Sequence, residues 1–153
     1  MTMKRWMPAL CAAFLTLGVT AGSATASDKY PVEILGQSDL APIGEFEVHG
    51  AAAEMLCPTG TIESGDTRIE WLDDVTFKIW QDKFLTCDTG EMFVLELKNT
   101  IVIGEGGVPG KGTWKLHEST GFDLAPKGKG DIVVVESPAG VFREAYVGLL
   151  MFK

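Results

Sequence analysis

The chain has 153 residues and a mass of 16.5 kDa, a length that suits one domain. Apolar residues make up 46%, enough to build a core, which excludes disorder as a description of the whole chain. Thirteen Lys and Arg stand against 21 Asp and Glu, a net charge of -8. That balance argues against nucleic acid as a partner, because such affinity rests on basic neutralisation of phosphates. Eighteen glycines and seven prolines disfavour a helical bundle.

Residues 1–26 read as an export signal. Lys4 and Arg5 give the positive start, Trp6 to Val19 is mostly apolar, and Ala24-Thr25-Ala26 is a small-x-small cleavage site. The apolar run stops short of the roughly 20 residues a spanning helix needs, so no stable membrane span is expected after cleavage. Cleavage after Ala26 leaves a single domain over 27–153 that is periplasmic or secreted. It removes Lys4 and Arg5 and no acidic residue, so the net charge becomes 11 − 21 = -10. It also removes Cys11, and the two remaining cysteines, Cys57 and Cys87, are expected to form one structural disulfide. Neither belongs to a C-x-x-C pair, which disfavours metal binding or a redox role.

Along 27–42, Pro31, Gly36 and Pro42 interrupt short apolar pieces, which predicts an extended lead-in with a first edge strand. Residues 45–49 alternate as a half-buried strand does. Residues 51–56 have the composition of a short helical turn, and Pro58-Thr59-Gly60 of a turn. From Thr67, Ile69 and Trp71 oppose Arg68 and Glu70; Asp73-Asp74 breaks the run, and Val75, Phe77 and Ile79 resume it. This predicts two strands or one bulged strand. Residues 83–87 form a further short candidate, closed by Asp88-Thr89-Gly90. The longest β-like run is 91–103, with Phe93, Leu95, Leu97, Ile101 and Ile103 on one face. Asn99 interrupts that face, so a bulge is expected near it. Residues 104–112 and 121–130 read as glycine-rich connections, 113–118 and 131–136 as strands. The last strand, 142–152, is apolar on both faces. About eight strands at this spacing indicate an all-β domain, a sandwich or an antiparallel barrel.

Motifs for chemistry are sparse. A phosphate-cradling loop needs Gly-Lys-Ser/Thr opening a helix; here Gly110-Lys111 is followed by Gly112 and a strand, and Glu105 takes the place of the first glycine. His49 and His117 lie on polar strand faces and read as solvated, and no Gly-x-Ser-x-Gly elbow occurs. No catalytic residue, cofactor or metal ligand is assigned. Trp71, Phe77, Phe93 and Trp114 fall on predicted apolar faces; in a small barrel they either fill the interior or line a ligand cavity. Trp80 departs from this pattern and sits on the polar face beside Lys78.

Gly112-Thr113-Trp114-Lys115, Gly121-Phe122-Asp123-Leu124 and Gly128-Lys129-Gly130 resemble the allene oxide cyclase barrel-like group, which includes the dirigent proteins. The resemblance covers about residues 91–150 and implies an eight-stranded antiparallel barrel with an apolar interior. The plant enzymes of that group steer reactive hydrophobic intermediates within the lumen, but no catalytic residue of theirs maps onto a position here. Gly112-Thr113-Trp114 also resembles the Gly-x-Trp of lipocalins, where it belongs to the first strand instead of a late one.

Three functional expectations follow. The first is a non-catalytic exported barrel that binds a small apolar ligand or serves a purely structural role. The second is an isomerase or cyclase acting on a hydrophobic substrate in the lumen. The third is an interaction module that forms a homodimer through the apolar C-terminal strand, residues 145–152.

Overall fold

The computed structural model describes residues 28–39, 43–104, 110–136 and 141–153. Residues 1–26, which read as an export signal in the sequence, lie outside the described residues. Eight strands form one closed antiparallel barrel with every neighbour in chain order: β1 (Tyr30–Asp39), β2 (Ile43–His49), β3 (Thr59–Trp71), β4 (Thr76–Cys87), β5 (Met92–Val102), β6 (Gly110–Thr120), β7 (Pro126–Glu136) and β8 (Val141–Phe152). The barrel, not the sandwich, is therefore the fold. β1 is no edge strand, because it pairs with β2 on one side and with β8 on the other.

Alternation sets which residues turn inward. In β2 the order exposed–buried repeats through the strand, with Gly44, Phe46 and Val48 inside. The interior is filled by Trp114, Tyr146, Phe46, Phe93, Ile34, Leu85, Leu95, Leu97, Ile132 and Leu150, all almost fully buried. Phe46 meets Phe93 edge to face at 5.8 Å between ring centroids, and Phe93 meets Phe122 at 6.3 Å. Trp114 fits because glycines stand across from it on the next two strands, Gly130 on β7 and Gly148 on β8. A Cβ on Gly148 would stand 2.7 Å from the indole, and the ring N–H instead donates to the Val147 carbonyl at 3.3 Å.

One end of the barrel is closed by the β2–β3 connection. Residues 52–56 make one helical turn, Leu56 N–H donating to the Ala52 carbonyl at 2.9 Å, and it buries Ala52 and Leu56 against the core. The Cys57–Cys87 disulfide (Cα–Cα 6.0 Å) ties this turn to the end of β4, the pairing expected of the two cysteines beyond residues 1–26.

Several strands run longer than their sequence patterns imply. β3 begins at Thr59 and β4 continues through Gln81-Asp82, joining two segments that read as separate. Asp73-Asp74 marks the hairpin between them: the Asp73 carboxylate accepts the backbone N–H groups of Val75 (2.9 Å) and Thr76 (2.7 Å). Those bonds, the Val75 N–H foremost, hold its pKa below the ordinary aspartate value. The bulge expected near Asn99 lies instead at Val94/Leu95, where β6 has Glu118 and Leu116 opposite and His117 as the extra residue. A second irregularity in β3, between Ser64 and Thr67, was not evident in the sequence. The glycines of 110–112 and 128–130 belong to β6 and β7, not to connections.

Candidate functional site

The strands are unequal in length, and that inequality makes the site. β2 has 7 residues and pairs with β3 only as far as Ile43↔Glu63, whereas β3 has 13 and β4 has 12. The β3–β4 hairpin therefore projects past the rim. Its inward face continues along β4 as Lys83, Gln81, Ile79 and Phe77, opposite Ser64, Thr67, Ile69 and Trp71 of β3. On the other side β5 completes the face with Leu97, Asn99 and Ile101. The result is a three-stranded shelf, apolar at its outer end through Ile69, Trp71, Phe77, Ile79 and Ile101 and polar toward the barrel.

Of the four aromatic candidates for the lumen, Phe93 (0% exposed) and Trp114 (2%) are packed into the core. Trp71 and Phe77 share the corresponding face but are carried past the rim by the hairpin. Phe77 is half-buried, and Trp71 is 57% exposed. They touch each other, with ring centroids 4.8 Å apart. Trp71 is thus a residue of the shelf and not of the packed interior. Ile69 stands beside it, 50% exposed.

At the foot of the shelf the interior turns polar. Lys83 is buried, and its Nζ donates to Glu144 Oε1 at 2.8 Å and to Ser64 Oγ at 2.8 Å. The other oxygen of Glu144, Oε2, accepts the Tyr146 hydroxyl at 2.5 Å. Burial, and next the Glu144 charge, push the Tyr146 pKa well above its ordinary value of 10, so the phenol stays protonated and donates. Asn99 is also buried, and its Oδ1 has no hydrogen-bond partner among the described residues. It rests over Gly112, where any side chain would collide with it. A buried acceptor without a protein partner is costly, which makes it ready for a donor.

Sequence reading missed this cluster. Lys83 sits at the start of a short apolar-looking run, Glu144 and Tyr146 lie in a strand that reads as apolar on both faces, and Ser64 lies in an unassigned segment. Only the closed register brings β3, β4 and β8 around one interior. The two histidines do not converge: they lie on β2 and β6, which are not neighbours. His49 approaches Glu47 at 3.4 Å and His117 approaches Glu118 at 3.9 Å, both partly exposed. Trp80, on the outer face of the hairpin, lies under the Arg68 guanidinium at 4.0 Å, with the Lys98 ammonium at 5.9 Å. Among the described residues no group of three His, Cys, Asp or Glu side chains is placed to hold a metal ion.

Compared with protein-family models, with curated proteins and with solved structures, the chain matches none.

Proposed function

We propose that this protein is an exported, non-catalytic barrel that binds a small amphipathic molecule at the end formed by the β3–β4 shelf. The observation that carries the reading is the Lys83–Glu144–Tyr146 cluster, buried at the foot of an exposed apolar face. A buried ion pair is weak evidence for stability, since apolar residues of like volume serve a core as well or better. Its position beneath Trp71, Phe77, Ile69 and Ile79 suits a ligand whose apolar body lies on the shelf and whose polar end reaches inward. Lys83 and the orphan acceptor of Asn99 supply both a donor and an acceptor there.

The interior proper is filled by its own side chains, so the ligand is assigned to the rim and not to a deep lumen. That same filling weighs against an isomerase of the allene oxide cyclase type, which would shape its substrate within the barrel. Export is supported by the signal-like 1–26 segment and by the Cys57–Cys87 disulfide, which persists in oxidising compartments.

The test is a fluorescence titration with anilinonaphthalene sulfonate, an apolar probe with an anionic end. Saturable enhancement with one site per chain is expected, together with competition by medium-chain fatty acids. The double substitution Trp71→Ala/Phe77→Ala removes side chains past the packed interior and should abolish the signal while lowering the urea midpoint by less than Trp114→Ala does. Enhancement that survives this substitution would refute the placement.

A further inference from the structure

We infer that the ligand of the rim site is hydroxyl-ended: its inward polar group is uncharged and donates a hydrogen bond to Asn99. This rests on the shelf being a binding site, and it names the chemistry that the foot of the shelf selects.

The polar side chains along that face pair off with one another, except at one position. Lys83 Nζ donates to Ser64 Oγ and to Glu144 Oε1, each at 2.8 Å. Gln81 Nε2 donates to Thr67 Oγ1 at 2.6 Å. Asn99 is left over. It is 4% exposed, and its Oδ1 is the one buried side-chain nitrogen or oxygen among the described residues that lacks a hydrogen-bond partner. Its cross-strand neighbours, Ile79 on β4 and Gly112 on β6, have no polar side chain to offer. A leucine has the same branching and would carry no unpaired acceptor into this apolar face. The amide is therefore a cost to the empty barrel, of the kind a binding site carries and a packed core avoids.

Charge narrows the partner further. Lys83 is the one charged residue buried among the described ones, and Glu144 already matches it. A carboxylate at the foot of the shelf would compete with Glu144 for a single ammonium, and a cationic end would face Lys83. Either leaves a desolvated charge unmatched, whereas a hydroxyl brings none. Among uncharged ends, an ether or ester has acceptors alone and leaves Oδ1 as it was. A hydroxyl donates. The terminal torsion of asparagine is broad, so the amide can turn Oδ1 from Gly112 toward the shelf. From Asn99 the apolar face runs outward past Ile101, Phe77 and Trp71, where the chain of such a ligand would lie.

The experiment is displacement of bound anilinonaphthalene sulfonate by two isomers, decanol and methyl nonyl ether. They match in size and the ether is the more apolar, so a site that reads apolar area alone takes the ether at least as well. The wild-type protein should bind the alcohol more tightly by about tenfold. Asn99→Leu should erase that preference, and it should raise the urea midpoint of the empty protein because the unpaired acceptor is gone. Equal displacement by the two isomers, or a preference for the ether, would overturn the inference and leave the rim site standing. So would a preference for the alcohol that survives Asn99→Leu. Displacement by neither isomer would overturn the rim site itself, and the inference with it.

Discussion

Replacing Lys83 by methionine keeps most of the side-chain volume and removes the one cation of the interior cluster. Glu144 is then left with the Tyr146 hydroxyl alone, at the foot of the shelf. Removing one partner of a buried ion pair costs about 3–5 kcal/mol. The two side chains keep 8% and 11% of their exposure, and Tyr146 still donates to Glu144, so the low end applies, about 3 kcal/mol. With a urea m-value of about 1–3 kcal/mol/M, the midpoint should fall by about 1–3 M with m unchanged. Removing both charges as Lys83→Met/Glu144→Met frees the exposed Ser64 hydroxyl to solvent and leaves the buried Tyr146 hydroxyl unpaired, a cost of about 1–3 kcal/mol. The double variant should therefore be more stable than Lys83→Met, and adding Tyr146→Phe should recover more still. If Lys83→Met moved the midpoint by no more than a surface substitution does, or if the double variant lost the sum of the two singles, the cluster would not be the coupled, desolvated unit described here.

Other consequences follow from the same structure. Trp114→Ala empties the largest volume of the interior and should cost about 3–5 kcal/mol, read from the same urea transition. Reducing the Cys57–Cys87 bridge, which spans 30 residues, should lower stability by about 3–4 kcal/mol in the chain-entropy treatment, measured with and without reductant. Tyr146 has a folded-state pKa raised above its unfolded value, so the folded state binds the proton more tightly. Its stabilising contribution is complete below the unfolded pKa near 10 and is lost as pH rises through the folded value. Thermal midpoints should drop above pH about 10, and Tyr146→Phe should flatten that part of the profile.

The strands of an all-β domain were legible because alternation is a local signal, as Glu45 to His49 show residue by residue, but alternation alone left barrel and sandwich open. The disulfide was legible for a similar reason, since Cys57 and Cys87 are the two cysteines beyond the signal-like segment. What stayed hidden depends on register. Gln81-Asp82 looks like a break, yet β4 passes through it because Gln81 pairs with Thr67 and Asp82 with Glu96 on either side. Asn99 looks like a bulge, yet it faces inward in unbroken register because Gly112 opposite leaves room for its side chain. Trp71 shares the alternation of a core residue, but alternation reports direction and not depth, and the short β2 leaves that part of the hairpin outside the rim. The Lys83–Glu144 pair joins positions 61 residues apart, and no local pattern announces such a meeting.

The reading of this barrel as a binder of a small amphipathic molecule is tested most directly by mass. Protein isolated from its own host should show, under native conditions, an excess mass that denaturing conditions release. The same preparation carrying Trp71→Ala/Phe77→Ala should show the polypeptide mass alone. A bare polypeptide mass for the wild-type protein, or an excess that the hairpin substitutions leave in place, would contradict the account.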